Sequence, residues 1–316
     1  MIPSLFNGTV QPTACSPANI PMPSLFGAEF YALEAHLVSN FSRYLPVGAY
    51  LNHGDVNITD IDFCNVTISY THPGQDDLLN VQAWLPIDTW NGRLQAIGGG
   101  GWQAGMSYSS SFSMQGAVGE GYVAVTTDGG LGSSMSPADW GLVSPGNVNM
   151  YDLQNLASVS LNDMAVIGKS LAASFYGQAP EFSYFNGCSQ GGRQGLMLAQ
   201  RYPDAFDGIA ASAPAINWTK FFMTGLWPSF IMKKLGHVPP SCEYDAIRAA
   251  AIAACDENDG VADGIISGEC NFDPQSVVGR CLNCTNFGKI RKISSEAALI
   301  MQKTVRVTDV TPEVQC

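Results

Sequence analysis

The chain has 316 residues, of which 46% are hydrophobic and 10% aromatic but only 13% charged. That apolar share can bury a large core and excludes a disordered chain. Fifteen basic against twenty-seven acidic side chains leave a formal charge of −12, with no basic cluster to hold a phosphate backbone. Nucleic acid and anionic membrane surfaces are therefore excluded as partners.

At roughly 150 residues per domain, this length suits two domains, or one large α/β domain with an insertion. Residues 1–50 are rich in Pro, Ser and Asn and read as a surface wrap with a short helix near Glu29–Ser39. Asn65–Tyr70 and Asn80–Leu85 alternate like strands and predict a hairpin across the His72-Pro-Gly-Gln turn. Arg93–Ile97 reads as a short strand running into Gly98–Gly101, and Tyr122–Thr126 as a strand ending at Thr127-Asp128-Gly-Gly. Asp152–Phe175 has helical spacing, with Leu153, Leu156, Val159, Met164, Ile167 and Leu171 on or near one face. Phe182–Phe185 is the next strand, Gln190–Arg201 a helix closed by Tyr202-Pro203, and Phe206–Ala211 the strand after it. Strands alternating with helices imply a parallel-rich sheet with right-handed crossovers. From Trp218 aromatics crowd in, and cysteines cluster between Cys242 and Cys284, which marks an insertion or lid. The expected organisation is a catalytic core over 1–217 and the start of a disulfide-rich lid domain over 218–316.

Six Asn-X-Ser/Thr sequons start at Asn7, Asn40, Asn57, Asn65, Asn217 and Asn283. With nine cysteines they point to a secreted protein made in an oxidising, glycosylating compartment. Met1-Ile-Pro-Ser lacks the basic start and apolar run of a signal peptide, so a mature or recombinant N-terminus is expected. No apolar run reaches the ~18 residues that a membrane-spanning helix needs. Nine is odd, so at least one cysteine is free or bonded to another chain. Cys281-X-X-Cys284 could suggest zinc or redox chemistry, but no second CxxC or paired histidine completes a zinc site, and a structural disulfide is the expectation.

The segment Gly187-Cys188-Ser189-Gln190-Gly191 carries the most chemistry. A Gly-X-Ser-X-Gly between a strand and a helix is the pattern of a nucleophile elbow, in which the glycines leave room for neighbouring backbone and the hydroxyl projects above the sheet. The Gln190 N–H then faces the developing oxyanion, aided by the helix N-terminus. A second donor should come from an earlier strand-to-helix loop, and Gly98–Gly101 lies there, with Gly99 and Gly100 as candidates. A nucleotide loop is excluded, since neither a GK[ST] ending nor GxGxxG is present. A serine nucleophile also needs a histidine base and an acid. His237 is the only histidine after Ser189 and falls inside the insertion, while His36, His53 and His72 precede it. Half an active site is present.

At Gly187-Cys188-Ser189-Gln190-Gly191-Gly192-Arg193 the sequence resembles the tannase and feruloyl esterase family. Ile97–Trp102 and Ala211-Ser212-Ala213-Pro214-Ala215 extend the likeness. The resemblance implies an α/β-hydrolase fold and a secreted serine carboxylesterase that cleaves esters of phenolic acids through an acyl-enzyme. It also implies that Cys188 bonds a cysteine following the catalytic histidine, on a disulfide-linked C-terminal chain that carries the catalytic Asp and His. Galloyl esters are favoured by that two-chain inference, with feruloyl esters of plant cell walls as the alternative. Trp218, Phe222 and Trp227 could stack on such a ring, or simply fill a lid core.

Cys255–Ile266 holds three aspartates spaced 3 and 4 apart among glycines, which either folds round a hard cation or forms plain Asp-Gly turns; it is not an EF-hand. The resemblance implies structural calcium, held by the side chains of Asp256, Asp259 and Asp263 and the carbonyls of Val261 and Ile265, with a Cys255–Cys270 disulfide clamping the loop. No organic cofactor is expected. A secreted calcium-binding glycoprotein module without catalysis, and an acyltransferase using the same serine, are the readings from other classes.

Overall fold

A computed structural model describes residues 12–132, 134–284 and 289–308. The chain divides into two compact units, Met1–Ala215 and Ile216–Cys316. In the first, the strands and helices run in the order β1 (Glu29–Leu45), β2 (Val56–Thr71), β3 (Leu79–Pro86), β4 (Arg93–Ile97), α1 (Tyr108–Gly119) and β5 (Val123–Thr127). A small hairpin, β6 (Leu142–Ser144) and β7 (Asn147–Val148), precedes α2 (Met150–Ala157) and α3 (Val159–Tyr176). The unit closes with β8 (Phe182–Cys188), α4 (Gln190–Arg201) and β9 (Gly208–Ser212).

Seven strands form one sheet in the order β1-β2-β3-β5-β4-β8-β9. The β1–β2, β2–β3 and β3–β5 pairs are antiparallel, whereas β4 lies parallel to both β5 and β8, and β8 parallel to β9. This is the mixed sheet of an α/β-hydrolase-like fold, and helices on both faces explain why the central strands read as continuous apolar runs. Along β4 and β5, Leu94, Ala96, Val123 and Val125 pack with Leu161, Met164 and Ile167 of α3, while Ile97 and Ala124 pack with Met114 and Val118 of α1. The period of two in a strand sends neighbours to opposite layers.

Two expected elements of the first unit change. The segment expected to be a helix near Glu29–Ser39 is the first half of β1, paired with β2 from Glu29↔Thr71 to Leu45↔Val56. Register shifts between Phe30 and Ala32 and again between Val38 and Arg43 interrupt the alternation that would have marked a strand. The helix expected over Asp152–Phe175 is two helices, broken at Ser158 (φ −163°). A disulfide from Cys15 to Cys64 ties the N-terminal segment to β2.

In the second unit, α5 (Trp218–Leu235) and α6 (Ser241–Cys255) are followed by β10 (Cys281–Cys284), β11 (Lys289–Lys292) and α7 (Ser295–Thr308). Ile247, Val277, Ile293, Ala297 and Ala298 form its core. The buried Glu243 carboxylate accepts from the Ser294 N–H at 2.8 Å and thereby joins α6 to the start of α7. Cys255 bonds Cys270, and Cys242 is also in a disulfide. Cys281, by contrast, is an exposed free thiol, so the expected Cys281–Cys284 bridge is not made. The reason is extended backbone: three strand steps separate Cα atoms by about 10 Å, beyond the ~7 Å a disulfide can span. Among the described residues no helix is long and apolar enough to cross a membrane.

Candidate active site

β8 ends at Cys188 and α4 begins at Gln190, so Ser189 alone makes the turn, at φ 59° and ψ −116°. A positive φ strains any residue with a Cβ, by about 1–3 kcal/mol, and persists only where surroundings enforce it. Those surroundings are visible. The Ser189 N–H donates to the Ser212 carbonyl at 3.1 Å, and the Ser189 carbonyl accepts from the Ala215 N–H at 3.0 Å and the Arg193 N–H at 3.0 Å. No side chain fits at the glycines alongside: a Cβ on Gly187 would stand 2.5 Å from the Gly191 carbonyl, and one on Gly192 2.3 Å from the Ser212 carbonyl oxygen. The serine itself is exposed, at the carboxyl end of the parallel strands. Behind it, Gln190 is buried and opens α4, whose first amides have no carbonyl to meet within the helix.

The glycine loop after β4 lies directly against this helix. The Gly98 N–H donates to the Asn186 carbonyl at 3.0 Å, and a Cβ on Gly98 would approach Gly191 Cα to 2.9 Å. Gly99, expected as an oxyanion donor, has its N–H committed to Gln194 Oε1 at 2.9 Å. Gly100 is different: its amide has no acceptor among the described residues, and a Cβ there would meet only Ser109 Oγ, at 3.9 Å.

Around the elbow run contacts that sequence patterns did not single out. Asn52, held at φ 66°, donates through Nδ2 to Asn186 Oδ1 at 2.6 Å and accepts from the Ser212 hydroxyl. Asn186 Nδ2 in turn donates to the Leu51 carbonyl at 2.8 Å. Arg193 donates to the Leu156 and Ala157 carbonyls at 2.8 and 3.0 Å, which the break at Ser158 leaves unused by the helix, and to Gln190 Oε1 at 2.6 Å. Burial pushes its guanidinium down to about 10. The one signal for these residues is position: Gln194 and Asn186 are polar yet fall on buried faces of their elements.

None of the three histidines of the first unit hydrogen-bonds Ser189 among the described residues. His53 stacks on Tyr50 at 3.7 Å and faces the Leu51 carbonyl, while His237 follows α5 in the second unit. His72 lies between two carboxylates, with Nδ1 2.7 Å from Asp77 Oδ2 and Nε2 3.1 Å from Asp163 Oδ2. The bond to Asp163 outweighs burial and, with that to Asp77, raises its pKa to about 9. Burial pushes the Asp77 carboxyl up, but bonds from His72, Asn155 and Thr71 together hold it below the ordinary range. Cys188 is a half-buried free thiol beside the nucleophile position.

A sequence profile described as tannase and feruloyl esterase matches residues 64–310. The chain belongs to this family. A probable feruloyl esterase from Arthroderma benhamiae is 42% identical over 84% of this chain and 49% of its own length. A tannase from Aspergillus oryzae is 33% identical over 72% of this chain and 39% of its own. Among solved structures, tannin acyl hydrolase from Aspergillus niger superposes with a TM-score of 0.76 at 28% identity, covering 94% of this chain and 56% of that one. The chain thus spans about half the length of the relatives it matches.

In the acidic loop the aspartates serve the loop itself. Asp256 Oδ1 accepts from the Gly264 N–H, Asp259 from those of Val261 and Ser267, and Asp263 from that of Ile265, at 2.8–3.1 Å. The oxygen donors suit a hard cation, but among the described residues no three acidic, His or Cys side chains are gathered as ligands. Of the sequons, Asn40, Asn57 and Asn217 are exposed and Asn65 is half-buried in mid-sheet; Asn7 and the Asn283 side chain lie outside the described residues.

Proposed function

We propose that this chain supplies the nucleophile and oxyanion half of a secreted serine carboxylesterase that hydrolyses esters of phenolic acids, with galloyl esters as substrate. The observation that carries the reading is Ser189: exposed, at a positive φ, on a one-residue turn between a parallel strand and a helix N-terminus. Its hydroxyl attacks the ester carbonyl while a histidine takes the proton. The tetrahedral oxyanion is met by the Gln190 and Gly100 amides, each donor contributing about 10²–10³ in turnover. The imidazolium protonates the leaving alcohol, and water then hydrolyses the acyl-enzyme by the same route in reverse. Feruloyl esters are the second reading, favoured by the 42% identity to a probable feruloyl esterase.

The histidine and its acid are assigned to a C-terminal chain bonded through Cys188. Two observations support this: no described histidine of the first unit bonds Ser189, and Cys188 is unpaired beside it. Intact mass before and after reduction tests it, since a second polypeptide released by thiol supports the assignment. Secretion and glycosylation rest on the exposed sequons, and digestion with a glycosidase should lower the mass. Calcium on the Asp256–Asp263 loop would use carboxylate lone pairs that the amide bonds leave free, with the Val261 and Ile265 carbonyls; titration of chelator-treated protein should show a site that Asp259→Asn weakens.

The decisive experiment treats the complete enzyme with a fluorophosphonate and maps the label, alongside turnover of methyl gallate and methyl ferulate. The expected result is labelling at Ser189, loss of turnover in Ser189→Ala, and a preference for the gallate. Undiminished turnover in Ser189→Ala would end the proposal.

A further inference from the structure

Gln194 is fully buried on α4, five residues beyond the elbow serine, and both ends of its amide are engaged. Oε1 accepts from the Gly99 N–H at 2.9 Å, and Nε2 donates to the Ala104 carbonyl at 2.8 Å. One side chain thus spans the two ends of the loop between Gly99 and Ala104. It does so from the helix that carries the Gln190 amide. The approach is tight enough to define a position: Gly98 could not carry a Cβ without meeting Gln194 Oε1 at 2.8 Å, and a Cβ on Gly191 would meet the Gly99 carbonyl oxygen at 2.9 Å. With the Gly99 amide occupied by Gln194, Gly100 is the expected donor whose amide remains without an acceptor among the described residues.

We infer that Gln194 is a positioning residue for the oxyanion hole, fixing the Gly100 amide relative to the Gln190 amide; this rests on the elbow reading above. An oxyanion hole works because its donors are already placed when charge develops, so a donor displaced by about 1 Å can cost on the order of 10²-fold. Ground-state binding of the ester does not need that alignment. A defect here should therefore fall on kcat and not on KM.

The test compares Gln194→Met, which removes both hydrogen bonds at similar volume, with Gln194→Glu. The glutamate can still accept from the Gly99 N–H but sets a carboxylate against the Ala104 carbonyl until it is protonated. In the complete enzyme, Gln194→Met should lower kcat about 10- to 100-fold with KM within about twofold. Affinity for a boronic acid, which forms a tetrahedral adduct on the serine, should fall by a similar factor, while affinity for the free product acid stays unchanged. The deficit of Gln194→Glu should shrink as pH falls through its carboxyl titration, because the protonated acid restores the second donor. If Gln194→Met does not fold, the pH-dependent rescue of Gln194→Glu decides alone. Unchanged kcat and boronate affinity in a folded variant, a rise confined to KM, or a Gln194→Glu deficit independent of pH would overturn the inference. Activity persisting in Ser189→Ala would instead overturn the elbow reading beneath it.

Discussion

The backbone of Ser189 is held where a serine does not ordinarily rest. The positive φ of Ser189 is enforced from three sides, by the Ser212 carbonyl, the Ala215 amide and the glycines at 187, 191 and 192. A methyl group on Gly192 would have to displace backbone, not a flexible side chain, since its first neighbour is the Ser212 carbonyl oxygen. Gly192→Ala should therefore destabilise the fold by about 1–3 kcal/mol. It should also slow fluorophosphonate labelling in protein that remains folded, which a thermal melt and a labelling time course would measure together. Retention of full labelling speed would show that the elbow tolerates the shift. At this scale the sequence was informative about residues in a spaced motif, Ser189 and its glycines. It was silent on Asn52, Asn186 and Gln194. Each of these acts through a partner distant along the chain, as Asn52 does with Asn186. Gly99 shows the same limit: a glycine-rich loop predicts close approach, but only the fold reveals that Gln194 takes that amide.

Among elements, the β2–β3 turn is tied to α2 and α3 by His72, Asp77, Asp163, Asn155 and the Tyr70 hydroxyl. Because the folded pKa of His72, about 9, exceeds its ordinary 6.5, the imidazolium stabilises the fold fully below about pH 6.5. That contribution, on the order of 3 kcal/mol, is lost as pH rises through about 9. Denaturant unfolding at pH 6 and pH 9.5 should show the loss, and His72→Gln should lower stability at pH 6 and flatten the difference. The Cys15–Cys64 bridge spans 49 residues, so chain entropy predicts a cost of about 4 kcal/mol for the Cys15→Ser, Cys64→Ser pair. Elements bounded by local signals were legible: Gln190–Arg201 follows a motif and stops at Tyr202-Pro203, and the hairpin turns at His72-Pro-Gly-Gln. β1 was not, because its register shifts hide the alternation and its identity comes from pairing with β2. Nor was the break at Ser158, whose freed carbonyls matter only once Arg193 arrives to use them.

For the whole molecule, a formal charge of −12 and the family's fold frame a chain that brings an elbow, a glycine loop and a free cysteine to the end of one sheet. On the function proposed above, the proton acceptor belongs to a second polypeptide bonded through Cys188. The chain expressed alone should accordingly turn over methyl gallate and methyl ferulate at least 10³-fold more slowly than the complete enzyme, which a side-by-side assay checks; a triad lacking a member keeps only the residual catalysis of its oxyanion hole and binding. On the proposed mechanism the acyl group passes through Ser189. Acid-quenching the complete enzyme within its first turnovers of an aryl ester, followed by peptide mapping, measures it. The acyl mass is expected on the peptide containing Gly187–Arg193, and an acyl group found on another residue while turnover proceeds would refute a Ser189 nucleophile.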